Sequence, residues 1–419
     1  MDPIMLYRAI KGTKDILPAE TPMWQFVEQT IRSVFHRFNY KEIRTPIFEQ
    51  TALFSRSIGE LTDIVGKEMY TFTDRSNESI TLRPEGTASV MRAYLQHNLG
   101  QEQPLTKVYY IGPMFRQERP QAGRLRQFHQ FGAEATGSPS PETDVEIIAL
   151  AIEIYKQLGI INYSLQINSV GDEECRPRYK EILKTELRKI AHKLSPDSQK
   201  RIEQNPMRVL DSKDENDKAL TERMPLMIDY LNEQCAAHFE QVKKLLTEIG
   251  IPYTVNGRLV RGLDYYTKTA FEITSTELGS QDALAGGGRY DLLIEELGGK
   301  RTPSVGFAAG LERLIMVLTK KGFQPPKSHP TVFIVVADDS AREWALKKTI
   351  ELRSLGFAVE TDLLNRSVKA QMKEADRQQS TYALVVGTTE LQNGKGILKH
   401  LAEHTQHEVE LNALPQLLQ

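Results

Sequence analysis

Three short strings of the chain each place an arginine beside glycine or aromatic residues: Arg116–Arg119, Arg261–Tyr266 and Gly310–Arg313. The planar guanidinium group of arginine can hold a phosphate or a carboxylate through two parallel hydrogen bonds. The sequence has no glycine-rich phosphate loop of the Walker type with its lysine. If the fold brings these strings together, they predict a nucleotide site built from arginines.

A strand-like run after the first string offers groups for a second ligand. Alternate side chains of a β-strand share a face, so Phe128, Gln130 and Glu134 point the same way. An aromatic ring, an amide and a carboxylate on one face can stack a base and bind a small polar molecule. The pattern also suits an outward polar face with one buried phenylalanine, but its position after Arg116–Arg119 favours a binding site.

Four further features are each open to interpretation. Glu85 and Thr87 can bind an ammonium group, or Glu85 can face the dipole at a helix N-terminus. Arg261–Tyr266 can be a salt-bridged turn over a core tyrosine, or it can present a tyrosine hydroxyl to a pocket. Gly286–Gly288 either allows a close approach or forms a flexible turn. Arg313 lies in the first turn of a predicted helix, where a cation needs an anionic partner.

Composition narrows the class of protein. The 419 residues, 40% hydrophobic and 26% charged, are typical of a globular protein of two or three domains. The net charge of −2 gives no global basic field, so a nucleic-acid partner needs local patches. Cys175 and Cys235 lie far apart without a CxxC pair, which predicts a reducing compartment and no disulfide scaffold or protein-bound metal. Residues 1–10 predict no signal peptide, and no apolar run is long enough to span a membrane.

The candidate site needs elements that position it. Helical spacing of apolar residues predicts a helix over Thr21–Asn39. Tyr40–Ile47 is predicted as a strand, which Pro46 restricts to an edge or an interface. Lys107–Met114 and Arg126–Ala135 predict a long hairpin with an exposed cationic tip.

The remaining elements suggest an inserted and an appended domain. A helix is predicted from Pro141 to Leu158, and a charged helical insertion over 172–250. The strands predicted around the insertion are Tyr163–Ile167, Tyr253–Val260 and Thr269–Thr274. After a proline-rich linker over 325–330, strands alternate with helices, which predicts a small domain with a mainly parallel sheet. Its predicted elements are strands Thr331–Val336, Ala358–Thr361 and Tyr382–Val386 and helices Ala341–Leu355 and Ser367–Gln378.

Together these segments resemble the class II aminoacyl-tRNA synthetases, and within them the histidyl-tRNA synthetase family. Tyr40–Ile47 resembles the first motif of the class, Tyr110–Glu134 the second and Gly306–Arg313 the third. Arg261–Tyr266 and Gly286–Tyr290 resemble the signatures of the histidine family, which are more specific than the class motifs. The resemblance covers essentially the whole chain.

The resemblance implies an α+β fold, in which a six-stranded antiparallel class II sheet is flanked by helices. It implies a catalytic domain over 1–327, interrupted by a helical insertion domain over 172–250, and an α/β anticodon-binding domain over 328–419. The implied enzyme is a ligase that joins L-histidine to tRNA(His) through a histidyl-adenylate, releasing AMP and diphosphate. ATP is the expected substrate with Mg²⁺, and the implied protein is a cytoplasmic homodimer.

The resemblance also gives roles to individual residues. Arg116 and Arg261 are the implied catalytic residues, because positioned cations stabilise the charge that builds on the α-phosphate. The implied ATP-binding residues are Arg116, Glu118, Phe128 under the adenine, and Arg313 at the γ-phosphate. The implied histidine-binding residues are Glu85, Thr87 and Gln130 on the α-amino side and Glu134, Tyr265, Tyr266 and Tyr290 around the imidazole. Which tyrosine takes which role stays open.

The implied tRNA-binding residues fall into two groups. Four lie at the hairpin tip, namely Gln117, Arg119, Gln121 and Arg124. Arg366, Lys369 and Lys373 recur at three- and four-residue spacing and are predicted to share one helix face in the C-terminal domain. A solvated helix face is the alternative for this second group.

Two alternative functions remain. A synthetase-like regulatory subunit of an ATP phosphoribosyltransferase resembles the catalytic core, but it lacks the C-terminal domain and typically the arginine at position 261. Arg261 and Thr331–Gln419 favour the enzyme. A class II synthetase for another amino acid, such as threonine or proline, is disfavoured by Glu134 with Tyr265 and Tyr266.

Overall fold

The computed structural model describes residues 7–59, 62, 64–120, 123–212, 214–260, 262–278, 283–326 and 329–418. Arg261 and Gln121 lie outside the described residues. The chain divides into two compact units, Met1–Pro325 and Pro326–Gln419, and the boundary falls inside the proline-rich segment predicted as a linker.

The first unit contains most of the strands. In chain order these are β1 (Lys41–Glu42), β2 (Phe48–Gln50), β3 (Tyr70–Thr73), β4 (Ser79–Leu82), β5 (Thr106–Phe115), β6 (Gln127–Thr136), β7 (Ser164–Ser169), β8 (Thr254–Val255), β9 (Thr267–Thr274), β10 (Ala283–Arg289) and β11 (Ser304–Gly310). Eight of them form the main sheet, in the order β1-β5-β6-β11-β10-β9-β7-β8. A small second sheet has the order β2-β4-β3.

The main sheet is antiparallel throughout its interior. All neighbours from β5 to β7 in that order pair antiparallel, whereas the two-residue strands β1 and β8 pair parallel at the two edges. The six-stranded antiparallel sheet implied by the sequence is therefore present, with one short parallel strand added at each edge.

Helices cover the sheet and form the insertion. The α-helices of the first unit are α1 (Thr21–Arg37), α2 (Thr51–Ile58), α3 (Thr87–Gln96), α4 (Leu99–Glu102), α5 (Pro141–Gln157), α6 (Cys175–Ile190), α7 (Pro196–Gln204), α8 (Met207–Leu210), α9 (Glu215–Thr221), α10 (Glu233–Glu248), α11 (Leu293–Glu296) and α12 (Leu311–Lys320). Helices α6 to α10 occupy the segment predicted as a helical insertion. Among the described helices, none combines the length and apolar character that crossing a lipid bilayer requires.

The core lies between the main sheet and helices α1 and α5. The buried residues of α1 recur at helical spacing and form one stripe, which consists of Val27, Ile31, Val34 and Phe35. The ring of Phe35 stacks on Tyr109 of β5 with centroids 4.2 Å apart. The apolar face of this helix is therefore packed inside its own unit.

Two predicted strands are much shorter than expected. Of Tyr40–Ile47, only Lys41–Glu42 is a strand, because the Arg83 side chain takes the carbonyl oxygens of Thr45 (3.0 Å) and Pro46 (3.3 Å). Pro46 also lacks the amide proton that a strand ladder needs.

The second shortened strand lies before the histidine-family string Arg261–Tyr266. Of Tyr253–Val260, only Thr254–Val255 is a strand. Asn256 then starts a turn: its carbonyl accepts from the Leu259 amide (2.9 Å) and its side-chain oxygen from the Arg258 amide (3.0 Å).

The second unit is a five-stranded sheet with helices. Its elements are β12 (Val332–Val336), α13 (Arg342–Ser354), β13 (Val359–Thr361), α14 (Val368–Arg377), β14 (Tyr382–Val386), α15 (Thr388–Asn393), β15 (Lys395–His400), β16 (Thr405–Glu410) and α16 (Leu414–Leu417). The order is β13-β12-β14-β15-β16, with parallel pairing from β13 to β14 as predicted. The antiparallel hairpin β15–β16 was not predicted.

Candidate active site

A cavity of about 350 Å³ lies over strands β6, β10 and β11 of the main sheet. It brings together residues from all the predicted strings. The predicted site residues that line it are Glu85, Thr87, Arg116, Glu118, Arg124, Phe128, Gln130, Tyr265, Tyr266, Tyr290 and Arg313.

Glu134 lies beneath this cavity with no exposed surface. Its carboxylate accepts hydrogen bonds from the Thr87 hydroxyl (2.7 Å) and from the Tyr290 hydroxyl. Gly306 pairs with Glu134 across the sheet, and a Cβ atom at position 306 would lie 1.7 Å from Oε2 of Glu134. Burial raises the pKa of Glu134 to about 8, although the two hydroxyl groups lower it.

Two polar groups flank the cavity beside Glu134. The buried carboxylate of Glu85 accepts from the backbone N–H groups of Thr87 (2.6 Å) and Ala88 (2.9 Å), where α3 begins. Glu85 thus caps a helix, which agrees with one of the two sequence interpretations, and it also lines the cavity. Its binding of an ammonium group stays a prediction. Oε1 of Gln130 is buried without a hydrogen-bond partner among the described residues, so it can accept from a ligand.

Three tyrosine rings close one side of the cavity. The ring centroid of Tyr265 lies 4.8 Å from that of Tyr266 and 5.5 Å from that of Tyr290. Burial raises the pKa of both Tyr265 and Tyr290 well above the ordinary value, so their hydroxyl groups stay neutral and can donate. The backbone carbonyl of Tyr266 accepts a hydrogen bond from Arg176 at the start of the insertion.

The wall opposite the tyrosines is cationic. The Arg116 guanidinium lies 5.3 Å from the centroid of the Phe128 ring, a cation–π contact, and its Nε donates to the Pro84 carbonyl at 2.9 Å. Glu118 lies between two arginines, 3.8 Å from Arg116 and 3.2 Å from Arg124.

Arg313 stands in the first turn of α12, as predicted. Its guanidinium donates to the backbone carbonyls of Ala283 (2.5 Å) and Gly123 (3.5 Å). Burial lowers the pKa of Arg313, and the nearby charge of Arg124 lowers it further. Three cations, Arg116, Arg124 and Arg313, therefore crowd this wall, with Glu118 and Glu272 as neighbouring anions. An anionic ligand would relieve the repulsion among the cations.

The glycine run is part of a strand, so the interpretation of a flexible turn is wrong. Gly287 faces the opposite strand so closely that a Cβ atom there would lie 2.3 Å from the carbonyl oxygen of Gly306 and 2.6 Å from the Phe271 ring. The missing side chain lets neighbouring protein groups approach, while Gly286 lines the cavity.

Sequence reasoning missed a buried ion-pair cluster behind Tyr290. Arg289 has no exposed surface and donates to Asp144 and, at 3.2 Å, to Asp291. Burial alone would raise the pKa of Asp144, but Arg289 and His238 lower it to about 2. These contacts fix the backbone from which Tyr290 reaches Glu134. Asp144 lies 145 residues from Arg289 in sequence, so no local pattern signals the pair.

A second missed contact joins two of the class motifs. The Glu312 carboxylate accepts from the backbone amide of His129 at 2.9 Å and lies 3.0 Å from the Nδ1 atom of its ring. The contact ties the strand that carries Phe128 to the helix turn that carries Arg313. Its sequence signal was the acidic residue beside Arg313 in the third string.

The hairpin residues predicted to contact tRNA lie in two different places. Gln117 and Arg119 are exposed on the loop between β5 and β6. The backbone N–H of Gln117 donates to the backbone carbonyl of Glu68 at 2.7 Å. Arg124 lines the cavity itself. Gln121 and the catalytic candidate Arg261 lie outside the described residues.

In the second unit, the predicted common face holds for two of the three basic residues. Ser367 caps α14, so the helix begins after Arg366. The Arg366 guanidinium folds back onto Asp362 (2.5 Å) and Glu374 (3.4 Å) instead of sharing the helix face. The remaining pair, Lys369 and Lys373, is exposed at four-residue spacing on the helix.

Comparisons with known proteins agree with this geometry. Residues 12–314 match a family model described as histidyl-tRNA synthetase, and residues 331–419 match one described as an anticodon binding domain. A histidine–tRNA ligase of Halothermothrix orenii is 51% identical over 414 residues, covering 98% of this chain and 99% of the relative. One of Chloroherpeton thalassium is 52% identical over 414 residues, covering 97% and 96%.

A solved structure extends the likeness to the fold. The crystal structure of apo S. aureus histidyl-tRNA synthetase is 40% identical, with a TM-score of 0.84, over 99% of this chain and all of that one. The antiparallel sheet, its helices and the C-terminal sheet are thus those of the class II synthetase fold. From the arginine and tyrosine strings, their convergence on one cavity and these matches, it follows that the chain belongs to the histidyl-tRNA synthetase family.

Proposed function

We propose that this chain attaches L-histidine to tRNA(His) in two steps that share the cavity. The histidine carboxylate attacks the α-phosphate of ATP and expels diphosphate, which forms histidyl-adenylate. A ribose hydroxyl at the 3′ end of the tRNA then attacks the activated carbonyl, and AMP leaves. The observation that carries this proposal is the convergence of the arginine and tyrosine strings on one cavity above the buried carboxylate of Glu134.

The amino acid would be recognised by hydrogen bonds. A neutral imidazole has one N–H donor and one acceptor nitrogen, so it needs an acceptor and a donor opposite. Glu134 supplies the acceptor, and the hydroxyls of Tyr265, Tyr266 and Tyr290 are the candidate donors. The Gln130 oxygen, which has no hydrogen-bond partner in the part of the chain that the structure describes, and the carboxylate of Glu85 suit the α-ammonium group. Thr87 holds Glu134 from the same side.

ATP would bind along the cationic wall. Arg116 and Arg261 are proposed to stabilise the charge on the α-phosphate, and Arg313 to hold the γ-phosphate. The Phe128 ring, which Arg116 covers in the free protein, would stack the adenine once that guanidinium turns to the phosphate. Glu118 would take part by orienting the arginines that it contacts.

Mg²⁺ is proposed to enter with ATP as its counter-ion. The carboxylates of Glu85 and Glu312 both accept hydrogen bonds from backbone amides, and Glu118 pairs with arginines. These protein partners leave the phosphate oxygens as the chief ligands of the ion, and its charge would neutralise the leaving diphosphate.

The tRNA would contact both units. We propose that Gln117, Arg119, Gln121 and Arg124 meet its acceptor end, and that Lys369 and Lys373, with Arg366 beside them, serve the anticodon-binding domain through phosphate contacts. In this proposal 1–327 is the catalytic domain, interrupted by the insertion over 172–250, and 328–419 binds the anticodon. The reaction would take place in the cytoplasm.

A homodimer is proposed on the evidence of the small sheet. Phe48 pairs with Leu82 and Phe72 pairs with Ile80, which lie two residues apart on β4, so the two rings share one face of this sheet. They are 55% and 48% exposed. An aromatic face of this kind marks an interface, and a two-fold axis would bury it against its copy.

The activity is tested by ATP–pyrophosphate exchange measured separately with each of the twenty amino acids. Exchange with histidine alone, followed by charging of tRNA(His), is the expected result. Exchange with threonine or proline would point to another class II synthetase. No exchange with any amino acid, under conditions where the protein is folded and binds ATP, would favour the regulatory-subunit alternative.

A further inference from the structure

The two cysteines of the chain meet at the base of the insertion, although they lie far apart in sequence. Cys175 begins α6 and Cys235 lies in the first turn of α10, the first and last helices of the insertion. Their sulfur atoms and a carboxylate oxygen of Asp172 all lie within 4.8 Å of one another, and all three residues are buried. The expectation of no metal site rested on sequence separation, which the fold removes.

The spacing of these atoms is close to that of ligands around one ion. Tetrahedral Zn²⁺ with bonds of about 2.3 Å to sulfur and 2.0 Å to oxygen sets its ligand atoms about 3.5 to 3.8 Å apart. Sγ of Cys175 lies 3.2 Å from Oδ1 of Asp172. Little movement would therefore bring both sulfurs and the oxygen into one coordination sphere.

The side chain of Asn232 forms hydrogen bonds with Asp172 and with the backbone of Cys235. Nδ2 of Asn232 donates to both carboxylate oxygens of Asp172, at 3.2 and 3.0 Å, while its Oδ1 accepts from the Cys235 amide at 2.9 Å. The Cys175 amide also donates to Asp172, at 3.1 Å. Outer contacts of this kind orient metal ligands. Helix capping accounts for Asp172 and Asn232, and the Cys175 thiol donates to Asp172. An ion bound here would take the place of the thiol protons between the sulfur atoms and the carboxylate.

We propose that Asp172, Cys175 and Cys235 bind one divalent ion of the Zn²⁺ class, with water as the fourth ligand. Two thiolates and one carboxylate suit a borderline-soft dication, and binding releases the two thiol protons to solvent. The ion would join the first and last helices of the insertion. Arg176, the residue after Cys175, donates to the Tyr266 carbonyl, so the joint lies one residue from a contact with the histidine site.

The test uses the full-length protein, first stripped with a chelator and then titrated with Co²⁺. Because the chain has two cysteines, a thiolate-to-cobalt charge-transfer band reports on this site alone. We expect the band to saturate at one ion per chain and to disappear when one equivalent of Zn²⁺ displaces the cobalt. Zn²⁺ should also raise the melting temperature of the wild-type protein.

Three substitutions remove the ligands one at a time. Cys175→Ser and Cys235→Ser should each weaken Co²⁺ binding at least tenfold and lose at least half of the band, and Asp172→Asn should weaken binding by about tenfold. Gln234→Ser makes a comparable change at an exposed position in the same turn of α10 and should leave the spectrum unchanged. A full band in either cysteine variant would overturn the proposal. So would a wild-type protein without the band at one equivalent, whether or not the variants fold.

Discussion

Glu134 has a carboxylate with no exposed surface, held between a threonine and a tyrosine hydroxyl. No cation among the residues that the structure describes offsets this burial, which favours the protonated carboxyl group and places its pKa near 8. The free protein therefore holds a proton on Glu134 at neutral pH. In the proposed function, Glu134 releases that proton to solvent and its carboxylate accepts from an imidazole N–H, which couples amino-acid recognition to pH.

The first prediction concerns this coupling. The ionised fraction of a carboxyl group with a pKa of about 8 rises roughly fivefold between pH 7 and pH 8, so KM for histidine should fall by about that factor. Exchange kinetics at saturating MgATP measure the effect, and Glu134→Gln should bind histidine weakly with no such dependence. A flat wild-type profile would contradict the role of Glu134.

The proton on Glu134 also affects the stability of the fold. A rise in pH, which should improve histidine binding, should lower this stability. The folded, ligand-free protein binds the proton more tightly than the unfolded chain does, because the folded pKa is the higher one. The free energy of unfolding contributed by this group is therefore present at low pH and is lost as pH rises through 8. Denaturant titrations of the wild type and Glu134→Gln would measure the difference.

The second prediction concerns Arg261, which lies outside the described residues and whose role stays a prediction. If Arg261 stabilises charge on the α-phosphate, Arg261→His should slow adenylate formation by roughly 10²–10³, as expected for one lost preorganised donor. Histidine affinity should change little, which separates this effect from a collapse of the neighbouring tyrosines. Exchange at the parent rate would remove Arg261 from the catalytic set.

At the scale of elements, the sequence predicted what depends on local pattern. The two-residue repeat of a strand predicted that Phe128, Gln130 and Glu134 share one face of β6. The prediction that Arg313 lies in the first turn of a helix is confirmed by α12. The sequence did not predict contacts between residues that lie far apart in the chain. The Arg83 side chain donates to the carbonyl oxygens of Thr45 and Pro46, which a longer strand would use in its own ladder. Nothing in the sequence near Pro46 indicates this contact.

The third prediction tests how closely β11 approaches β6. Gly306→Ala would place a methyl group 1.7 Å from Oε2 of Glu134 and 2.6 Å from the Ala133 carbonyl, so the carboxylate must leave its place. Histidine activation should be lost while ATP still binds, as measured by equilibrium binding and exchange. Gly66→Ala, where the added atom meets nothing within 4 Å, is the control. Normal histidine KM in Gly306→Ala would show that the site tolerates the shift.

At the scale of the whole molecule, the two units allow the activities to be separated. The fourth prediction is that ending the chain after Lys327 leaves histidyl-adenylate formation largely intact and severely weakens tRNA charging, because anticodon contacts are lost. Exchange and aminoacylation assays on the same preparation give the comparison. Full charging by the shortened protein would refute an anticodon role, and a loss of exchange would show that the first unit needs the second for its structure.

The fifth prediction concerns assembly. Phe48→Arg with Phe72→Arg should convert a dimer into monomers and abolish exchange, because charges replace the aromatic face of the small sheet. Thr73→Arg adds the same charge to the opposite face of β3 and should leave the dimer intact. Sedimentation at micromolar concentration measures both. A wild-type protein that is active as a monomer would contradict the proposed dimer.

The bonds between Asn232 and Asp172 bring the start of α6 close to the start of α10, so the segment between them, with α7 to α9, is closed at its base. A segment whose ends touch can be lengthened, shortened or exchanged without moving the strands that flank it. Only the parts of the insertion that make no contact with the histidine-family string are free to vary, because Arg176 and Asn205 donate to Tyr266 and Asp264. The same geometry makes the base of the insertion a natural place to graft a different helical module onto this catalytic sheet.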